Sequence, residues 1–115
     1  MGTYESESTI SLWDAERRRG ITLKNIKSGK RYTFTVKRSL VVGRVKPFCD
    51  LQITTDDLYM SAKHLRFINE ANGIYIEDLH STNGTKINGR PVVSKVKIKQ
   101  GDILRMGKSE FEVIV

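Results

Sequence analysis

Residues 78–89 read Asp78-Leu79-His80-Ser81-Thr82-Asn83-Gly84-Thr85-Lys86-Ile87-Asn88-Gly89. Two Asn-Gly pairs stand five positions apart, and each marks a turn that needs positive φ. Between them Thr85-Lys86-Ile87 is left as a strand of three residues. Turns this closely spaced belong to a fold of many short strands. The stretch has no GxxxxGK[ST] spelling and no helix after it, so it is not the phosphate-gripping loop of a nucleotide triphosphatase. Its small hydroxyls and Asn amide have two uses: donating to an anion, or bracing a neighbouring loop.

The same texture extends outward from Gly20 to Val115. Ile21–Ile26 precedes a turn at Ser28-Gly29-Lys30, and Tyr32–Val36 alternates apolar with hydroxyl residues. Leu40-Val41-Val42 stops at Gly43, Leu51-Gln52-Ile53 is brief, and His64–Ile68 alternates again. Asn72-Gly73 reads as a hairpin turn before Ile74-Tyr75-Ile76. Val92-Val93, the lysine-striped Lys95–Lys99, Ile103–Met106 and Phe111–Val115 complete the set. About ten or eleven short strands and no helix of amphipathic length predict an all-β fold, a sandwich or a barrel.

Residues 1–19 read differently, as an acidic, hydroxyl-rich tail in front of a domain over 20–115. Residues 1–16 hold four acids and no base, while the remaining residues hold twenty Lys and Arg against nine Asp and Glu. A short helix from Ile10 to Arg19, capped by Thr9 or Ser11, fits the tail. The basic body points to an anionic partner. The single cysteine, Cys49, excludes an internal disulfide and a Cys-rich zinc site, and the two histidines sit too far apart in sequence for a persuasive metal pair. No metal or other cofactor is expected. No apolar run reaches a membrane span, and no signal sequence opens the chain. An intracellular, cytoplasmic domain is expected, with no membrane partner.

Three loop segments carry residues that turns alone do not require. Val42-Gly43-Arg44 ends a strand in a planar cationic fork suited to carboxylate or phosphate. Ser61-Ala62-Lys63-His64 gathers a hydroxyl, an ammonium and an imidazole at the entry to a strand. A serine nucleophile with a histidine base would also need an orienting acid and an oxyanion turn, so an enzyme is not expected. A histidine holding the loop together is the plainer reading of His64. The third segment is the dodecamer itself.

Taken in order, these residues resemble a forkhead-associated (FHA) domain. The resemblance rests on Gly43-Arg44, Cys49-Asp50-Leu51-Gln52-Ile53, Ser61-x-x-His64, Asp78-Leu79, Ser81-Thr82-Asn83-Gly84-Thr85-x-x-Asn88-Gly89 and Gly101-Asp102-Ile103-Leu104 with Gly107. It spans residues 20–115. It implies an eleven-stranded β-sandwich that binds phosphothreonine with loops at one end. Arg44 and Ser61 would contact the phosphate, and Thr82 and Asn83 would face the peptide. Gly43, His64, Gly84, Asn88 and Gly89 would be structural. Ala62 stands where a polar residue often follows the serine, and Tyr59 where some members carry a basic residue. Lys63, Lys46 and Tyr59 are therefore accessory candidates.

The implied partner is a phosphothreonine-containing protein or peptide, in the manner of a signalling adaptor. A phosphorylated Thr9, or Thr3, would place such a ligand in the chain's own tail, although a disordered tail or a short helix capped by Thr9 is the plainer expectation. Two other readings compete. One is an FHA fold making phosphate-independent protein contacts, which Ala62 keeps open. The other is a nucleic-acid binder drawn by the basic body. Lys95, Lys97 and Lys99 form a stripe, but no aromatics are interleaved there to stack on bases, which ranks nucleic acid below a protein ligand.

Overall fold

The computed structural model describes residues 18–115. The tail segment 1–17, with Thr3, Thr9 and most of the expected helix, lies outside the described residues. Among the described residues there are eleven strands and no helix. They are β1 (Arg19–Asn25), β2 (Arg31–Val36), β3 (Ser39–Gly43), β4 (Leu51–Gln52), β5 (Leu65–Glu70) and β6 (Gly73–Asp78). β7 (Thr85–Ile87), β8 (Arg90–Pro91), β9 (Val96–Lys97), β10 (Ile103–Met106) and β11 (Ser109–Ile114) follow. One sheet has the order β2-β1-β11-β10-β7-β8 and the other β4-β3-β5-β6-β9. Among the described residues only β3 and β4 pair in parallel.

Period-two patterning closes the sandwich. Leu65, Phe67 and Asn69 of β5 point inward, as do Phe111 and Val113 of β11, while their sequence neighbours face out. Phe67 and Phe111 are fully buried among Leu23, Ile76, Leu104 and Met106. Burying each of these large side chains contributes roughly 1.5–3 kcal/mol. Phe34 meets Phe67 edge-on at 5.2 Å between centroids, which locks β2 of one sheet over β5 of the other. Asn69 is the polar exception in this row. Its Nδ2 donates to the carbonyl of Lys37 at 2.9 Å, and its Oδ1 accepts from Arg19 Nε at 2.8 Å. These bonds pin the β2–β3 corner, the β5–β6 turn and the start of β1 together at one end of the sandwich.

Three turn and strand assignments shift by a residue or two, and turn chemistry explains them. The β5–β6 turn is Ala71-Asn72, because Gly73 already pairs with Glu70. At the second Asn-Gly pair, Asn88 has φ +51° and Gly89 +81°, a two-residue turn that forces Ile87 opposite Arg90. That register places the short β8 at Arg90–Pro91 rather than Val92-Val93. Val92 is buried just beyond the ladder, and Val93 is 91% exposed. The lysine stripe pairs only at Val96–Lys97, yet its alternation persists, since Ile98 is buried and its N–H donates to the carbonyl of Ile74 at 3.0 Å.

Candidate functional site

At the end opposite Arg19, three loops converge: the exit of β3, the segment entering β5, and the loop between β6 and β7. Gly43 makes this approach feasible. A Cβ there would stand 2.0 Å from the carbonyl oxygen of Ala62, so no side chain fits. With the two backbones in contact, Arg44 N–H donates to Ser61 O at 3.1 Å and His64 N–H to Val42 O at 3.0 Å. Arg44 is half-buried, and its Nε donates to the carbonyl of Met60 at 2.8 Å. Among the described residues the Arg44 guanidinium makes no ion pair, and its terminal nitrogens have no acceptor.

His64 fastens this corner from below. It is completely buried. Its Nδ1 accepts the Ser61 N–H at 3.0 Å, so the proton resides on Nε2, which donates to Gly84 O at 2.9 Å. One ring therefore ties the Ser61 loop to the Thr82–Gly84 loop. Burial holds the imidazole pKa below its ordinary 6.5, against the opposing pull of the Gly84 carbonyl and the nearby Asp78 and Asp57 carboxylates. Because Nδ1 faces the Ser61 backbone rather than its hydroxyl, the pair is not arranged as a nucleophile with its base. Ser61 Oγ instead accepts the Thr82 N–H at 3.0 Å, which leaves its own hydrogen available to an outside acceptor.

The β6–β7 loop is shaped by Asp78. Its Oδ2 accepts the Ser81 N–H at 3.0 Å, and its Oδ1 accepts the hydroxyls of Ser81 and Thr85, the latter at 2.7 Å. Partial burial would raise the Asp78 pKa, but the Ser81 and Thr85 hydroxyls and the Ser81 amide outweigh it and hold it below the usual value. The turn then crosses to the neighbouring loop, where Asn83 Nδ2 donates to Tyr59 O at 3.0 Å. Asp57 fixes the other side of that loop by accepting the N–H groups of Tyr59 and Lys108 at 3.0 and 2.8 Å and the Ser109 hydroxyl at 2.7 Å.

Arg44, Ser61, Thr82 and Asn83 are thus brought onto adjoining loops, with Gly43, His64 and Gly84 beneath them. Asn88 and Gly89 lie at the far end of β7. There Asn88 Nδ2 donates to Asp102 at 3.0 Å, and Asn88 Oδ1 accepts the Ile103 N–H at 2.9 Å. Lys46 and Lys63 are exposed and make no hydrogen bond or ion pair among the described residues. Tyr59 is half exposed and carries the Lys108 ammonium 4.1 Å from its ring centroid. Sequence reading missed Met60, whose carbonyl orients Arg44, and Ala62, whose carbonyl fills the space beside Gly43. Neither contribution comes from a side chain, so no residue type signals it. Asp57 was legible in principle, as an acid two residues before Tyr59 in a polar loop. Among the described residues no His, Cys, Asp and Glu cluster could hold a metal ion, and no helix is long and apolar enough to cross a membrane.

The family model of the FHA domain matches residues 40–107. The chain is 31% identical over 86 residues to FhaB, an FHA domain-containing protein of Mycobacterium tuberculosis, covering 75% of this chain and 53% of FhaB. It therefore spans about half the length of that curated relative. A solved structure described as "Structural and functional analysis of phosphothreonine-dependent FHA domain interactions" superposes with a TM-score of 0.71 at 30% identity, covering 84% of this chain and 97% of the other. The FhaA FHA domain complexed with the intracellular domain of Rv3910 gives 0.68 at 31% identity, over 81% and 98% of the two chains. Fold and sequence agree, and the chain belongs to the FHA domain family.

Proposed function

We propose that residues 20–115 are a phosphothreonine-dependent protein-binding module acting as an adaptor, with Arg44 and Ser61 receiving the phosphate and Thr82 and Asn83 facing the peptide. The observation that carries this is Arg44 itself. It is a half-buried guanidinium, tethered at Nε, whose terminal nitrogens are left unclaimed among the described residues, next to Ser61, whose hydroxyl hydrogen is likewise unclaimed there. A phosphothreonine brings about −1.5 to −2 charges and three acceptor oxygens, which this set of donors complements. The phosphothreonine-dependent interactions named for the superposing FHA structure support the same reading.

The nucleic-acid alternative is weakened by the lysine stripe, because Lys95 pairs with Glu70 and Lys99 with Asp102. The experiment is a screen of an oriented peptide library with threonine either phosphorylated or bare. Retention of the phosphorylated peptides alone is the expected result. Equal retention of both pools supports the phosphate-independent alternative and overturns the proposal.

The chain's own tail is a second source of ligand in this reading, through phosphorylated Thr9 or, with more chain to spare, Thr3. β1 starts at the end of the sandwich remote from Arg44, so the tail must run back along it. The ten residues from Thr9 to Arg19 reach at most about 33–36 Å when extended, and the length of β1 takes roughly 23 Å of that. An extended tail spans the distance and a helical one does not. Amide shifts at Arg44, Ser61 and Asn83 on phosphorylating Thr9, unchanged between two protein concentrations, are expected for self-docking. Their absence excludes it.

A further inference from the structure

A groove of about 1220 Å³ lies between the β1–β2 turn, the loop entering β5 and the β10–β11 turn. Its walls are fastened to one another. The Ile26 N–H donates to the carbonyl of Glu110 at 3.0 Å, and the Tyr32 hydroxyl donates to the carbonyl of Thr54 at 3.3 Å. Asp57 ties the loop entering β5 to the β10–β11 turn through the Lys108 N–H and the Ser109 hydroxyl. Six large apolar side chains stand well exposed among the described residues, and three of them, Ile26, Leu58 and Tyr59, line this groove. Gathered apolar surface of this kind marks a docking site, whereas single scattered residues do not. The groove opens onto the free edge of β2, which carries Lys30 and Arg31 at its start and Lys37 just past its end.

One segment of this chain matches that surface. Ile10, Leu12 and Trp13 fall within four positions of one another, in a stretch otherwise poor in large apolar residues. Asp14 and Glu16 stand between them and Arg19, so a chain running up the β2 edge passes two acids along a row of bases. The lengths agree. Trp13 is six residues before Arg19, a reach of at most about 20–22 Å. Tyr32, on the groove wall, is the register partner of Leu23, four residues up β1 from Arg19 and roughly 13 Å away. Leu12 and Ile10, with more chain to spare, reach Ile26, roughly 23 Å up the strand. A helix over the same residues advances only about 1.5 Å for each and falls short of Ile26.

We infer that Ile10, Leu12 and Trp13 seat in this groove, so that the chain covers its own exposed apolar surface. No phosphate takes part, and the inference therefore stands apart from the phosphothreonine reading. The tether gives the segment an effective concentration on the order of millimolar, at which even a weak apolar contact stays occupied. Tyr59 is common ground, since its side chain lines the groove while its carbonyl accepts the Asn83 amide. The groove thus ends where the phosphate corner begins.

Trp13 is the single tryptophan of the chain, so it reports its own surroundings. The test is tryptophan fluorescence of the unphosphorylated full chain, with acrylamide as quencher and N-acetyltryptophanamide as the exposed reference. The wild type is expected to show blue-shifted emission and quenching at least about threefold weaker than the reference, as for a group with about 70% of its surface covered. I26S/L58S changes two exposed side chains outside the Arg44 corner and should restore the emission and quenching of the reference. Thermal midpoints check that this variant folds. L12S leaves residues 18–115 untouched and should lower the protection as well, which gives a second reading that folding of the domain does not affect. The wild-type emission should stay constant on dilution. Reference-like emission in the wild type overturns the proposal. Protection that survives both I26S/L58S and L12S also overturns it, because Trp13 then rests elsewhere. Protection that fades on dilution overturns it too, and assigns the groove to a second copy of the chain.

Discussion

The Arg44 side chain is strapped to the carbonyl oxygen of Met60 through Nε at 2.8 Å and, among the described residues, only through Nε. The strap fixes the plane of the guanidinium and leaves its outer edge for a bidentate acceptor. In R44A the fork and the charge are both lost. The expected cost is about 2–5 kcal/mol of phosphopeptide binding, the range for removing one member of a desolvated charge pair. That is roughly 30- to several-thousand-fold in Kd. R44K keeps the charge without the fork or the strap and should fall between wild type and R44A. Calorimetry on the folded variants checks this, and unchanged affinity in R44A contradicts it.

Gly43 and Ala62 form the contact on which the corner is built. Adding a methyl group at Gly43 pushes directly on backbone, with no flexible side chain to yield. G43A should lose about 1–3 kcal/mol of stability through overpacking, and its phosphopeptide affinity should fall because Arg44 and Ser61 are displaced together. Gly20 is the control, since a Cβ there meets nothing within 4 Å. G20A should stay within about 0.5 kcal/mol of wild type. Urea unfolding of both variants separates the outcomes.

The buried His64 makes stability depend on pH in a stated direction. Its folded pKa lies below 6.5, so the unfolded chain takes up a proton that the folded chain refuses. Its contribution is therefore fully present above about pH 6.5 and declines as the pH falls below that value. Asp57, Asp78 and Asp102 shift the same way from 3.8: partial burial would raise each carboxyl, but hydrogen bonds outweigh it. Their stabilisation is present above about 3.8 and is lost as the pH drops further, which gives a second, more acidic decline. H64A should be less stable throughout and lose the first decline while keeping the second. Urea midpoints measured between pH 8 and 3 test this, and an identical pH slope near 6 in the two proteins contradicts it.

The two asparagines of residues 78–89 should separate binding from stability. Asn83 is exposed and, among the described residues, its side chain bonds only the Tyr59 carbonyl, whereas Asn88 holds a left-handed turn and bonds both Asp102 and Ile103. N83A should weaken the phosphopeptide and shift the thermal midpoint little. N88A should cost about 1–3 kcal/mol of stability, because the buried Asp102 carboxylate and the Ile103 amide lose their partner, with the affinity of the folded fraction retained. Calorimetry paired with thermal melts decides, and N88A failing to lower the midpoint would contradict the role given to its side chain.

Much of the sandwich was legible because its strands are amphipathic at period two, as in Leu65-x-Phe67 and Phe111-x-Val113. Boundaries slipped where a turn, not the pattern, sets the register. Asn88-Gly89 commits the chain to pairing at Arg90–Pro91, and the apolar Val92-Val93 simply falls outside that ladder. At the site, Arg44, Ser61, Thr82 and Asn83, the residues proposed to meet the ligand, and His64 could be named from sequence, and all stand on or beneath the converging loops. What sequence did not show was backbone acting on side chain. The Met60 carbonyl orients Arg44, the Ala62 carbonyl demands glycine at 43, and the Gly84 carbonyl accepts the His64 Nε2–H.

The proposal that the Arg44–Ser61 corner binds phosphothreonine is tested most directly by titrating the isotope-labelled protein with one phosphothreonine peptide and its unphosphorylated twin while following every amide and the Arg44 Nε–H. The expected result is saturable shifts concentrated at Arg44, Ser61, Thr82 and Asn83 with the phosphorylated peptide only. The β5–β6 turn at Ala71-Asn72, at the other end of the sandwich, should stay still. Equal shifts with both peptides, or shifts that spare Arg44 and Ser61, would contradict it.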